Sequence, residues 1–130
     1  MSVNPAARAS TILVVDDESL LRMMAVDIFE EAGFTVFEAG SGAQGAQMLA
    51  DNRSIDGLFT DVEMPGPISG LDLAQMTHEL YPNIAIMVVS GRVTPAEGQL
   101  PPGAKFVSKP YDNEVILNLF GGLMPDTQPS

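Results

Sequence analysis

Apolar residues fall in short blocks along this chain. Five runs rich in aliphatic, β-branched or aromatic residues stand out: Thr11 to Val15, Phe34 to Glu38, Gly57 to Thr60, Ile84 to Val89 and Ala104 to Ser108. Runs of this length and composition predict strands. Two of them, TILVV and IAIMVV, are apolar almost throughout instead of alternating. That is the pattern of parallel strands covered by helices on both faces.

Between the strands, apolar residues recur three and four apart. The first such stretch predicts a helix from about Ser19 to Ala32, with Leu20, Met24 and Ile28 stacked alongside Leu21, Ala25 and Phe29, and Gly33 closing it. The second opens at Ser41, where Ser41 to Gln44 has the form of a capping box, and runs to about Asp51. The third spans Leu71 to Leu80, with Leu73, Met76 and Leu80 on one side and Pro82 stopping it. The last runs from Asp112, a suitable N-cap, through Val115, Ile116, Leu119 and Phe120 to Gly121 and Gly122.

Strand and helix alternate, so right-handed crossovers predict an α/β fold: a three-layer, doubly wound, five-stranded parallel sheet. The fourth crossover breaks the pattern. From Val93 to Gly103 it reads VTPAEGQLPPG, which predicts a shortened or irregular fourth helix. The domain is expected over 11–122, with flexible tails over 1–10 and 123–130.

Composition narrows the function classes. A chain of 130 residues with 45% hydrophobic content suits one core. Its 17 acidic residues against 6 basic ones give a net charge of −11, which repels a phosphate backbone, so no nucleic-acid partner is expected. With no cysteine there is neither a disulfide framework nor a thiolate metal site. No apolar run approaches the ~18 residues of a membrane span, and the N-terminus lacks the apolar middle of a signal peptide, so a soluble cytoplasmic protein is expected. Met23, Met24, Met48 and Met76, like the other methionines, read as core filling, and His78 as an exposed helical histidine.

In open parallel sheets ligands bind beyond the carboxyl ends of the strands. Four of the five predicted strands end in reactive residues: Asp16-Asp17-Glu18, Asp61, Ser90-Gly91 and Lys109-Pro110. The second ends in Ala39-Gly40, as an edge strand far from the site would. Carboxylates converging on one crevice need a cation, and with no His or Cys nearby the ligands are all oxygen, which favours Mg2+ over zinc. Asp61 is then a candidate nucleophile towards phosphorus. The Lys109 ammonium and the Ser90 hydroxyl would face the transferred oxygens. Alone, the Asp16-Asp17 pair reads as a solvated turn that helps start a helix; placement on successive strand ends makes the case.

This constellation resembles the response regulator receiver family of two-component systems over about residues 11 to 121: an acidic pair after the first strand, Asp61 followed by a Met-Pro loop and Gly70, a hydroxyl after the fourth strand, and Lys-Pro after the fifth. The resemblance implies a flavodoxin-like, CheY-like fold with strand order 2-1-3-4-5. It implies Asp61 as phosphoacceptor and Asp16, Asp17, Asp61 and the Glu63 backbone carbonyl as magnesium ligands. It further implies Ser90 as switch hydroxyl, Lys109 as the phosphoryl-binding lysine and Phe106 as switch aromatic, with Glu63 and Arg92 tuning phosphate lifetime. A sensor histidine kinase or a histidine phosphotransfer protein would supply the phosphate. With no further domain expected after residue 122, output is expected through protein contact, or else the domain only relays or drains phosphate.

The chain departs from the family pattern in three places. Met64 to Gly70 is one residue longer than usual, Ser90-Gly91 replaces the commoner Thr-Ala, and the interval from Ser90 to Lys109 is short and proline-rich. Two other functions remain open on the residues. One is a magnesium-dependent phosphohydrolase with Asp61 as transient nucleophile, although Glu63 stands where a second Asp would be expected. The other is a degenerate receiver that binds partners without phosphate.

Overall fold

The computed structural model describes residues 10–96 and 98–123. Its elements follow in the order β1 (Thr11–Val15), α1 (Ser19–Glu31), β2 (Thr35–Ala39), α2 (Gly42–Asp51), β3 (Gly57–Asp61), α3 (Gly70–Leu80), β4 (Ala85–Ser90), β5 (Lys105–Ser108) and α4 (Asn113–Leu123). All strand pairs are parallel and the sheet order is β2-β1-β3-β4-β5. This is the doubly wound, three-layer α/β architecture that the alternation predicts. Apart from Ser10 and Leu123, the two tails expected from sequence lie outside the described residues, and Leu123 ends α4.

Successive residues of the central strands point to opposite faces, so a strand buried on both must be apolar throughout. Leu13, Val15, Leu58, Ile86 and Val88 pack with Leu49, Leu73 and Ala74 of α2 and α3. Ile12, Val14, Phe59, Met87 and Val89 pack with Ala25, Val26 and Phe29 of α1 and Ile116 and Phe120 of α4. The second layer is the aromatic one. Phe29 sits edge-to-face against Phe34, Phe59 and Phe120 at centroid separations of 5.8, 5.2 and 5.5 Å, the arrangement that ring quadrupoles favour.

Helix ends follow local chemistry. Ser41 caps α2 by accepting from the Gln44 amide at 3.1 Å, but the Gln44 side chain reaches back to Gly40 N at 2.7 Å, so the predicted capping box is only half made. A complete box lies instead on α3, between Ser69 and Asp72. Gly33, at φ 99°, ends α1 as expected.

The interior stripes match those predicted only in part, at Ala25 and Phe29 on α1 and Leu73 on α3. On α1 only Ala25, Val26 and Phe29 are buried, whereas Leu20, Met23 and Met24 are 67%, 57% and 53% exposed. The helix is apolar around much of its circumference in this turn, so periodicity alone does not say which stripe meets the sheet. On α3 the buried positions are Gly70, Leu73, Ala74 and Thr77, while Met76 is half-buried and Leu80, in the last turn, is exposed. Core filling therefore holds for Met64 and Met87 and fails for Met23 and Met24. His78 is partly covered, not fully exposed.

No helix forms among the described residues between β4 and β5. The prolines remove donors a helix would need, and the segment is held by isolated bonds: Ala96 N to Gln99 Oε1 at 2.6 Å, Ala104 N to Pro101 O at 3.1 Å, and Gln75 Nε2 on α3 to Gln99 O at 3.0 Å. The expected shortening is thus complete. No helix among the described residues is long and apolar enough to cross a membrane.

Candidate functional site

The sheet register brings the reactive strand ends together. Asp61 is the last residue of β3 and pairs with Val89, and Ser90 closes β4 opposite Ser108. Backbone bonds carry the ladder one residue further, with Val62 N donating to Val89 O at 2.9 Å and Lys109 N to Ser90 O at 2.9 Å. Side chains from β1, β3, β4 and β5 therefore emerge at one edge. They border a cleft of ≈ 320 Å³ lined by Asp17, Glu18, Leu21, Asp61, Glu63, Ser90, Gly91, Arg92 and Lys109.

Asp16 lies at the floor of this arrangement, 7% exposed, and Asp17 at its lip. One carboxylate oxygen from each of Asp16, Asp17 and Asp61 falls within 4.8 Å of the other two. Lys109 Nζ reaches Asp61 Oδ1 at 3.1 Å and Asp16 Oδ2 at 3.6 Å. Three carboxylates against one ammonium leave two negative charges over a small volume. An all-oxygen donor set with that residual charge, open to solvent on one side, fits a hard divalent cation that keeps some of its water. The residues present thus fit magnesium.

Burial pushes the Asp61 carboxyl up from its usual range; the Lys109 hydrogen bond and charge pull the other way without overcoming it, and Asp16 and Asp17 add to the rise. For Lys109 burial works downwards, but the bond to Asp61 and the charges of Asp61 and Asp16 outweigh it and hold the ammonium above its usual value. A raised carboxyl pKa means the folded domain binds that proton more tightly than the unfolded chain does. The contribution is therefore present at acid pH and is lost as pH rises from the ordinary carboxylate range through the raised value. In the presence of EDTA, the decline in urea midpoint over this window should be shallower for Asp61→Asn than for the native chain. An equal or steeper decline would contradict the assignment.

Ser90 is 2% exposed, and its Oγ accepts from the amides of Arg92 and Val93, each at 3.1 Å. Both bonds use the oxygen as acceptor, which leaves the hydroxyl proton free to be donated into the cleft. Glu63 and Arg92 are exposed and line the same cleft. Phe106 stands apart from it. Half-buried on β5, it packs against the α2/α3 side of the core with Leu100 and Ala104.

Several residues beyond the predicted site set shape the cleft. Arg22 of α1 donates from Nη1 to the Asp16 carbonyl at 2.7 Å and from Nε to Glu38 Oε1 at 2.9 Å. The end of β2 is consequently tied to the site, against the expectation of a bland edge. Tyr111 follows the cis Lys109-Pro110 bond; its ring meets Phe59 edge-on at 5.9 Å, and burial raises its phenol pKa. Gly70, the first residue of α3, lies so close to the Asp61 carbonyl and Val62 Cα that a β-carbon there would collide with both.

A second cleft, of ≈ 330 Å³, opens at the opposite edge between Leu49, Arg53, Asp56, Leu80 and Tyr81. Its charged groups are already engaged: Asp56 accepts from Thr11 N at 2.8 Å, and the Arg53 guanidinium lies 5.3 Å from the centroid of the Tyr81 ring. No nucleophile or acid cluster converges there among the described residues, so the chemistry belongs to the first cleft.

Comparison with known proteins bears directly on this geometry. Residues 12–120 match the family model described as the response regulator receiver domain. The chain is 30% identical over 110 residues to the response regulator receiver protein CpdR of Brucella abortus, covering 82% of this chain and 90% of that protein. It is 33% identical over 107 residues to the sensor kinase CckA of the same organism, covering 79% of this chain but spanning only 11% of that longer protein. Among solved structures, a response regulator receiver protein from Sinorhizobium medicae superposes with a TM-score of 0.83 at 30% identity, covering 88% of this chain and 94% of that one.

Proposed function

Because the chain belongs to the response regulator receiver family of two-component systems, we propose that it accepts a phosphoryl group on Asp61 from a phosphohistidine of a sensor histidine kinase or a histidine phosphotransfer protein. Modification would then change its protein contacts. The observation that carries this reading is the joint placement of Asp16, Asp17 and Asp61 around Lys109 in a cleft that also receives Ser90.

Asp16, Asp17, Asp61 and the Glu63 carbonyl would hold magnesium, which when bound neutralises charge on phosphoryl oxygens. Lys109 donates to Oδ1 of Asp61, which would leave the other carboxylate oxygen to attack the incoming phosphorus. As that oxygen bonds to phosphorus, the bond from phosphorus to the donor nitrogen breaks and the imidazole keeps the electron pair and takes a proton. Lys109 then moves its ammonium onto a phosphoryl oxygen, and the Ser90 proton is donated to another. Phe106 sits two residues before Ser108, which pairs with Ser90, and would follow the movement of the β4 end towards the core. Glu63 and Arg92 at the mouth would govern the access of water and so the lifetime of the acyl phosphate.

The acidic surface argues for protein partners over nucleic acid, and a cytoplasmic location would suit the phosphodonors. The domain is expected to occupy 11–122. It acts in this reading as a regulator, its only chemistry being transfer to and loss from its own aspartate.

Incubation of the purified chain with magnesium and a small acyl phosphate, followed by intact mass spectrometry, should show a species heavier by one phosphoryl group. Omitting magnesium should suppress it. Steady release of phosphate from many esters without any modified protein would favour a phosphohydrolase. Partner capture indifferent to both magnesium and acyl phosphate would favour a receiver that works without modification.

A further inference from the structure

Asp16 is held at three of its four polar positions. Its amide donates to Ala39 O of β2 at 3.2 Å, its Oδ1 accepts from Glu18 N at 2.9 Å, and its carbonyl accepts from Arg22 Nη1 at 2.7 Å. Only Oδ2 is left, facing Lys109 at 3.6 Å. Two of the three restraints are backbone groups, the Ala39 carbonyl supplied by the strand ladder and the Glu18 amide supplied by the turn into α1. The third is a guanidinium on the first turns of α1, only 21% exposed and aimed by a second bond to Glu38. A charged donor on a carbonyl gives a short, strong bond, and the planar fork of arginine lets one side chain serve two acceptors at fixed angles.

The path of that side chain is built into the chain around it. A β-carbon at Gly40 would stand 3.3 Å from Arg22 Nη1 and 3.9 Å from its Cζ, so the absent side chain at the end of β2 leaves the passage through which the guanidinium reaches Asp16. Glu38 and Gly40 flank Ala39, whose carbonyl takes the Asp16 amide. One residue of α1 thereby links the end of β2, the end of β1 and the acid cluster.

We propose that Arg22 is a positioning residue for the cation site: by clamping the Asp16 carbonyl it fixes the peptide from which the Asp16 and Asp17 side chains diverge, and so presents Asp16 Oδ2 and the Asp17 carboxylate to one ion. This rests on the reading of the acidic cleft as a magnesium site. Without the clamp the 16–18 turn keeps its charge but loses its fixed orientation. The cost falls on metal affinity, since partners behind metal ligands are typically worth about 10- to 100-fold in binding.

The test is isothermal titration of the full chain with magnesium chloride, using protein verified as folded by urea denaturation in EDTA. Arg22→Met retains the aliphatic stem and removes both donors, and should weaken magnesium binding by about tenfold. Glu38→Gln removes the exposed ion pair and leaves the Asp16 bond, so its affinity should stay close to that of the native chain, as expected of a surface pair. Arg22→Lys restores one cationic donor and should recover part of the loss. In acyl phosphate labelling, the Arg22→Met chain should reach the native extent of modification once magnesium is raised to compensate.

Native affinity in Arg22→Met, a loss in Glu38→Gln as large as in Arg22→Met, or no recovery in Arg22→Lys would each overturn the positioning role. If the native chain itself binds no magnesium, the metal reading of the cleft fails and this inference fails with it. That outcome is distinct from tight native binding that ignores Arg22.

Discussion

A chain carrying Asp61→Asn is expected to take up no phosphoryl group from an acyl phosphate under conditions that modify the native protein. An amide oxygen is not a nucleophile towards phosphorus at neutral pH, and the substitution also replaces the carboxylate that Lys109 holds at 3.1 Å by a neutral amide. Neither neighbouring acid is placed to take over. Asp16 is buried with Oδ1 committed to the Glu18 amide, and Asp17 is exposed beyond the end of β1, where it lacks the ion pair with Lys109 that Asp16 and Asp61 make. Loss of labelling should be complete, larger than the ~10²–10³-fold expected for removing one charge-stabilising donor such as Lys109. Mass spectrometry decides it: a modified species surviving in Asp61→Asn, mapped by peptide digestion to Asp16 or Asp17, would move the acceptor elsewhere.

Replacing Gly70 by alanine should be nearly as damaging, through the backbone. The added carbon would overlap the carbonyl of Asp61 and crowd Val62 Cα, and neither is the movable end of a side chain. Relief requires α3 to shift off β3, which also breaks the bond from Gly70 N to Val62 O at 2.9 Å and unseats Leu73 and Ala74, both fully buried. Overpacking against backbone at a buried helix start places the cost at the upper end of point mutations, about 3 kcal/mol or more. For a domain of this size that is a fall of roughly 10 °C in Tm. Thermal unfolding followed by circular dichroism measures it directly. A fall of only a degree or two would mean that the close approach of α3 to Asp61 is relaxed in solution.

The architecture was legible in the sequence because the burial of a parallel sheet on both faces writes itself as uninterrupted apolar runs, as in Ile12 to Val15 and Ile86 to Val89. The site was legible for a related reason. In such a sheet the residue at the end of each strand has a known location, so the sequence alone gathers Asp61, Ser90 and Lys109. The contribution of Arg22 was hidden, because its partners are a backbone carbonyl and a glutamate sixteen residues away, and nothing in local spacing marks a side chain that works by reaching across two strand ends. On α1 the predicted stripe is right at Ala25 and Phe29 and wrong at Leu20 and Met24, for a different cause. Leu20, Met23 and Met24 are as apolar as Ala25 and Val26, and composition cannot distinguish a face turned to the sheet from one turned to water. Gly70 could be placed in its loop, but its closeness to Asp61 is a tertiary fact.

The ladder bonds that run past β3, β4 and β5 make the acceptor, the hydroxyl and the lysine into neighbouring rungs, while the stretch between β4 and β5 is strung on a few separate tethers. Tolerance to change should divide along the same line. Chain length should be free to drift between residues 94 and 103, beyond the amides of Arg92 and Val93 that hold the Ser90 hydroxyl, allowing that strap to be remodelled for new company without disturbing the chemistry. A single residue gained or lost within 57–61 or 85–90 would rotate the reactive side chains onto the wrong side of the sheet and leave nothing for selection to repair.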